Sequence, residues 1–409
     1  MDNVLDILQE RGFVQQISDE PSLHRLLGRR KITLYDGFDP TRPSLTIGNL
    51  VGLMMLAWFD RCGHRPIALM GGGTALVGDP SGKLADRPIL PADEITANIR
   101  HLEGQISRVL RHGPGHTLTL NNAEWLEPLR FIPFMRDIGS RFSVNEVLRL
   151  EAYRTRLEAG GLSMLEFSYV LMQSYDFLHL YQNYDCVLQI GGSDQWGNSV
   201  AGADLIRKVT GGEAFVLVAP LILTADGVKM GKTEAGAVWL DPTLTTPYEY
   251  YQFWRNVADA DVERFLALFT FLPMSQIQAL GRVQGAALNE AKEVLAFEAT
   301  RIVHGDGAAE EARAAARRLF AEAGGEVDLP TAEVDCEQLA AGMPVTELFK
   351  AAGLVASANE ARSLIAQGGL SLNGRPIEDP RARVDLTAME NGALMLARGR
   401  KHHKRVICR

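Results

Sequence analysis

An alternation near the N-terminus constrains this chain more than any other feature. Lys31–Asp36 (KITLYD) reads as a buried strand, Asn49–Cys62 (NLVGLMMLAWFDRC) as an apolar helix, and Pro66–Met70 (PIALM) as the next strand. Strand, helix and strand in that order make a βαβ unit, with Gly71–Gly73 as the turn after it. Ser163–Leu180 continues the plan as an amphipathic helix, Cys186–Ile190 (CVLQI) as a strand and Gln195–Val209 as a helix. The fold expected up to residue 222 is α/β, a Rossmann-like and mostly parallel sheet flanked by helices. Ligands of such sheets bind at the carboxyl ends of the strands, which is where the polar motifs fall.

The 409 residues suit two or three domains. Residues 223–323 hold a basic loop and then an Ala/Glu/Arg-rich helical stretch from Pro247 onward. Residues 324–342, with Gly-Gly at the start and Pro330 and Pro344 nearby, read as a linker. Residues 343–409 read as a small α+β domain of two short helices followed by strands. With 46% apolar and 22% charged residues, the balance is that of a soluble globular protein. No apolar run approaches the roughly 18 to 20 residues of a membrane span, so no membrane partner is expected. The acidic start MDNVLDILQE lacks the pattern of a secretion signal. Four cysteines (Cys62, Cys186, Cys336, Cys408) lie far apart without a CxxC pair. That spacing predicts neither a disulfide framework nor a metal site, and fits a reducing cytoplasm.

The net charge of −8 argues against a protein that coats nucleic acid with its whole surface. From Met343 onward, however, 11 Lys and Arg stand against 6 Asp and Glu, so this tail carries +5 and the remainder −13. Any polyanion contact is therefore expected at the C-terminal end.

Four motifs carry chemistry. Tyr35-Asp36-Gly37-Phe38-Asp39-Pro40-Thr41 follows the first strand, and Thr46-Ile47-Gly48-Asn49 opens the helix after it. A helix N-terminus with a glycine and polar side chains seats phosphates, and the same residues also fit a capped turn. Lys229-Met230-Gly231-Lys232-Thr233 places two lysines three apart around a glycine. It suits either a polyphosphate or a solvated basic turn. Leu188–Asn198 (LQIGGSDQWGN) ends a strand in two glycines followed by a dense set of hydrogen-bonding groups, as a base or ribose site would. Tyr169, Gln173 and Asp176 share one helix face, polar where a core stripe would be apolar. A buried Asp176 would need a donor such as a phenol hydroxyl.

Together these segments, with GGGTALVGDPSGK at residues 71–83, resemble the bacterial tyrosyl-tRNA synthetases, a class I aminoacyl-tRNA ligase family, in order and over essentially the whole chain. The resemblance implies activation of tyrosine by ATP to tyrosyl-adenylate, then transfer to the 3'-terminal adenosine of tRNA(Tyr). It implies ATP with Mg2+ as the substrate complex, no tightly bound cofactor, and a homodimer with its interface around Phe131–Leu165. Tyr35 and Asp176 would hold the substrate phenol, Asp79, Tyr169 and Gln173 its amine, and Gln195 would lie near its carboxylate. Asp39, Gly48, Gly192, Asp194 and Lys232 would bind ATP. Thr41, Thr46, Asn49, Lys83, Arg87, Lys229, Lys232 and Thr233 would serve the triphosphate during catalysis. The C-terminal segment VTELFKAAGLVASANEARSLIAQGGLSLNGRPI resembles a small RNA-binding domain, with RGRKHHKR for tRNA phosphates.

Two positions depart from the family. Its helix opens with His-x-Gly-His, where this chain has Thr46 and Asn49. An amide can donate from about where an imidazole nitrogen would, but a threonine hydroxyl is short and neutral. Asp36 stands where the family carries a cysteine or a small residue, and would either accept from ribose hydroxyls or repel phosphate. The second reading compatible with these departures is a paralogue with altered or lost ligase chemistry.

Overall fold

The structure is a computed structural model. It describes residues 3–79, 90–113, 115–225, 227, 230, 232–233, 236–283, 285–321, 331–390, 392–399 and 402–409. The chain divides into two compact units, Met1–Leu244 with Ala258–Val283, and Thr245–Val257 with Gln284–Arg409.

The first unit is built on a six-stranded sheet of β1 (Gln16–Ile17), β2 (Thr33–Phe38), β3 (Arg65–Met70), β4 (Leu118–Asn121), β5 (Cys186–Gly192) and β6 (Phe215–Ala219), in the order β1-β6-β5-β2-β3-β4. All neighbours run parallel except β1, which pairs antiparallel with β6. The sheet grows from β2 through β3 to β4, then resumes on the other side of β2 with β5. The gap between the carboxyl ends of β2 and β5 is thus a topological switch point, where a crevice opens. Parallel strands are covered on both faces, which is why β5 and β6 are almost continuously apolar.

The Ile47–Arg61 helix is apolar on nearly every side and buried along most of its length. Its N-terminus follows β2 and so lies at the crevice. The Met164–Tyr184 helix starts at a capping box, Ser163 with Glu166, and stops where Asp185 turns left-handed at φ 51°. No helix among the described residues is long and apolar enough to cross a membrane.

Two expected boundaries move. The helices Val262–Phe269 and Met274–Gly281 belong to the first unit, not to the helical stretch around them. The Arg11 guanidinium donates to the carbonyls of Ala267 at 2.9 Å and Thr270 at 3.1 Å, and also to that of Leu272. Trp58 packs edge-on against Phe271, with ring centroids 5.3 Å apart. Helix periodicity cannot register such long-range anchoring.

In the second unit Pro247–Arg255, Leu288–His304 and Asp306–Ala321 are helices. A five-stranded sheet follows, in the order Arg375–Pro376, Leu370–Leu372, Leu394–Arg398, His402–Cys408, Thr331–Val334. The last of these lies inside the segment read as a linker, pairing parallel with His402–Cys408 so that Val334 faces Cys408. The C-terminal sheet therefore reaches back to Thr331, into the segment read as a linker. The same pairing overturns the cysteine expectation: Cys336 and Cys408, 72 residues apart in sequence, have Cα atoms 4.7 Å apart and are joined in a disulfide.

Candidate active site

The carboxyl ends of β2 and β5 and the N-terminus of the Ile47–Arg61 helix enclose a cavity of about 590 Å³. The expected residues Tyr35, Asp39, Thr41, Thr46, Gly48, Asn49, Asp79, Tyr169, Gln173, Asp176, Gly192, Asp194 and Gln195 all line it. Lys83, Arg87 and Lys229 lie outside the described residues. Lys232 and Thr233 form a short strand antiparallel to Gly236–Ala237.

One end of the cavity is buried. Asp176, 3% exposed, accepts from Trp125 Nε1 at 2.7 Å and from Asn122 Nδ2 at 2.9 Å. Burial, opposed by the two donors and aided by Asp39, pushes its carboxyl up to about 7. No phenol hydroxyl of the described residues donates to Asp176. The Tyr35 hydroxyl, buried beside Phe177, has no hydrogen-bond partner among the described residues. Gln173 Oε1 and Gln189 Oε1 are orphaned in the same way. Three buried polar atoms left open in one cavity are the mark of a ligand site.

The carboxylates around this end are paired with neighbouring side chains. The Tyr169 hydroxyl donates to Asp39, at 3.2 Å to Oδ2, and Gln195 Nε2 donates to Asp79 Oδ2 at 2.8 Å. Asp39 is tucked under the turn after β3. A Cβ on Gly71 would stand 2.4 Å from its Oδ1, so only glycine fits there.

The other end opens to solvent. Gly48 and Asn49 are exposed, and a Cβ on Gly48 would lie 3.5 Å from Thr46 Oγ1. Thr46 and Asn49 turn toward each other. Thr46 N and Oγ1 each donate to Asn49 Oδ1 at 3.0 Å, closing a capping box at the helix entry. Asp36, 8% exposed, accepts from Gly37 N at 2.9 Å. It is seated against the helix at Gly52, where a Cβ would stand 2.1 Å from its Oδ2. Burial, with Asp194 adding to it, pushes the Asp36 carboxyl up to about 7. An incoming polyphosphate would raise it further, so Asp36 can meet ATP as a neutral acid and need not repel it.

Several residues in or behind the cavity wall were not singled out in the sequence. Asn122 holds Asp176 and also binds the Thr74 hydroxyl at 3.1 Å and Gly73 N at 2.8 Å. Trp125, one helical turn on, completes the grip on Asp176. Gln189 was visible as the single polar residue of CVLQI.

A cavity at the switch point of such a sheet, under a helix N-terminus, is the setting of a nucleotide-using α/β enzyme. The sequence pattern of the family described as tRNA synthetases class I (W and Y) matches residues 27–321, and that of the S4 domain matches residues 347–389. A tyrosine–tRNA ligase of Caldanaerobacter subterraneus subsp. tengcongensis is 46% identical over 406 residues, 99% of both chains. Another, of Desulfosudis oleivorans, is 48% identical over 429 aligned positions, covering 100% of this chain and 99% of that one. Among solved structures, a C-terminally truncated mitochondrial tyrosyl-tRNA synthetase of Aspergillus nidulans superposes with a TM-score of 0.71 at 28% identity, over 78% of this chain and 95% of that one. The chain belongs to the class I tRNA synthetases of the W and Y family, and carries an S4 domain at its C-terminal end.

Proposed function

We propose that the chain is a tyrosine–tRNA ligase that activates tyrosine with ATP and transfers it to the 3'-terminal adenosine of tRNA(Tyr). The observation that carries the choice of tyrosine is the buried end of the cavity. There Asp176, fixed by Asn122 and Trp125, and the unpartnered Tyr35 hydroxyl suit a phenol. The substrate hydroxyl donates to Asp176 and accepts from Tyr35. Phenylalanine would leave the Tyr35 hydroxyl unpaired and deny Asp176 a further donor, at a cost of about 1–3 kcal/mol. Asp79, Tyr169 and Gln173 take the amine, and Gln195 lies toward the carboxylate.

In the first step a tyrosine carboxylate oxygen bonds to the α-phosphorus of ATP, the bond to the β-phosphate oxygen breaks, and pyrophosphate leaves with the electron pair. In the second a ribose hydroxyl of the tRNA displaces AMP from the carbonyl. Neither step needs a protein nucleophile. The protein positions the reactants and stabilises the charge that gathers on the departing phosphates. Gly192 and Asp194 hold the adenosine, with Asp36 at the ribose. Asp39, Gly48, Thr41, Thr46 and Asn49, with Lys83, Arg87, Lys229, Lys232 and Thr233, serve the triphosphate. Mg2+ enters as the counter-ion of ATP.

The S4 domain binds the tRNA, with Lys404 and Arg405 among its basic residues, in the cytoplasm where charging takes place. A homodimer forms around Phe131–Leu165, a stretch that leaves Phe131 and Ile132 each 77% exposed, Val144 58% and Met164 68%.

The test is tyrosine-dependent exchange of pyrophosphate into ATP, followed by charging of tRNA(Tyr). Removal of residues 331–409 is expected to leave exchange nearly intact and abolish charging, and charging by the full chain should weaken steeply with added salt. Absence of exchange with tyrosine, against activity with a tyrosine analogue, would favour the paralogue. The closed Thr46–Asn49 pair is the feature on that side.

A further inference from the structure

Among the described residues, the mouth of the cavity holds few donors. A threonine hydroxyl carries one hydrogen, and Thr46 spends it on Asn49 Oδ1. In that arrangement Thr46 Oγ1 offers only lone pairs, which phosphate oxygens repel, and Asn49 retains only its amide N–H groups. The helix N-terminus adds a partial positive charge but no full one.

Arg42 stands beside this gap. It is exposed and lines the same cavity as Thr41, Thr46 and Asn49. No carboxylate among the described residues pairs with it. Its guanidinium instead lies over the Trp239 ring, 5.6 Å from the centroid. Trp239 is itself fixed to the helix entry, because it bridges antiparallel to Thr46. Ile47 N donates to Val238 O at 3.1 Å and Leu240 N to Leu45 O at 2.9 Å, clamping the strand on either side. An arginine stacked on an indole keeps its charge and its edge-on N–H fork while losing much of its rotamer freedom. Arginines elsewhere also lie over rings, but Arg42 does so while lining the cavity beside Thr41, Thr46 and Asn49.

We propose that Arg42, held by Trp239, binds the β,γ-phosphate end of ATP and stabilises the leaving pyrophosphate, supplying the donor that the Thr46–Asn49 pair withholds. The proposal rests on the tyrosine-activating reading. In the step it assists, the tyrosine carboxylate bonds to the α-phosphorus and pyrophosphate departs with the bonding electrons. Arg42 neutralises that charge and transfers no proton.

The experiment compares the full-length parent with Arg42→Ala, Arg42→Lys and Trp239→Leu, each also in a Thr46→His background. Single-turnover adenylate formation is expected to fall roughly 10²-fold in Arg42→Ala, with tyrosine affinity unchanged. Arg42→Lys and Trp239→Leu should fall part of the way. Thr46→His should restore rate to Arg42→Ala by a larger factor than it adds to the parent, since the two donors serve one charge. Titration with inorganic pyrophosphate and with ATP reads the contact without chemistry, and Arg42→Ala is expected to bind each about tenfold more weakly. Adenylate formation within twofold of the parent, or pyrophosphate affinity equal to it, would overturn the proposal. If the parent itself fails to activate tyrosine, the functional reading falls, while the pyrophosphate titration still decides whether Arg42 binds phosphate.

Discussion

At the buried end of the cavity Asp176 is 3% exposed and gripped by two fixed donors, whereas at the mouth Asn49, Gly48 and Arg42 face solvent and Thr46 and Asn49 satisfy each other. On the proposed function, the first arrangement lacks only a ligand hydroxyl. The second offers charge and backbone but waits for the triphosphate to organise it. The contrast separates two tasks. Choosing a phenol over a phenyl ring needs buried groups whose pairing cannot be rescued by water. Expelling pyrophosphate needs charge that can admit and release a highly charged ligand, which a dry pocket would resist.

Removing the centre of the buried end should have the largest effect. Asp176→Ala strips the acceptor and strands Asn122 and Trp125, so kcat/KM for tyrosine in the exchange assay should fall by about 10³-fold. The preference for tyrosine over phenylalanine should collapse with it. A loss confined to kcat with KM for tyrosine intact would move Asp176 from selection to catalysis and erase the contrast.

Acidity should have the next largest effect. The bound phenol donates to an ionised Asp176, whose carboxyl burial has pushed up to about 7. Below that pH, binding must release a proton, so tyrosine affinity should weaken by about tenfold per pH unit as the pH falls and level off above it. Calorimetry in buffers of different ionisation heat measures the released proton directly. Asp176→Asn should flatten the profile.

Tyr35→Phe removes one neutral donor and should cost about tenfold in kcat/KM for tyrosine, with ATP parameters unmoved. Comparing exchange with tyrosine and with phenylalanine shows whether the discrimination narrows by the same factor.

The smallest effect sharpens the other side of the comparison. Asp36 has a folded value near 7 against an ordinary 3.8, so it binds its proton more tightly in the folded state. Its contribution to stability is therefore full below about 3.8 and is lost as the pH rises toward 7. Asp36→Asn keeps an acceptor for Gly37 N and should raise the Tm by a few degrees at pH 8 and hardly at pH 4. Thermal unfolding at the two pH values is the check.

Much of this arrangement was legible in the sequence. The βαβ alternation defines the sheet, and the motifs around Tyr35, Gly48, Tyr169 and Gly192 all reach one cavity because each follows or faces the carboxyl end of β2 or β5. What escaped were relations between distant residues. Asn122 and Trp125 sit after a strand of only four residues, too short for its alternation to stand out. The pairing of Tyr169 with Asp39, and of Gln195 with Asp79, depends on side-chain reach across the crevice. Thr331–Val334 is another four-residue strand, set just after Pro330, and its partner lies at the far end of the sequence. With that strand hidden, the proximity of Cys336 and Cys408 was hidden as well.

The cage around Arg11 bears on how the protein is made. Its first carbonyl partner, Ala267, is 256 residues further along the chain. Between the two come Thr245–Val257, which belong to the other unit. A ribosome therefore extrudes nearly the whole first unit, then a piece of the second, before the three carbonyls that receive the guanidinium exist. A nascent chain that stops short of Leu272 lacks part of the acceptor set that the buried Arg11 guanidinium uses. The cage around Arg11 thus closes only late in synthesis, once the stretch from Ala267 to Leu272 has been made.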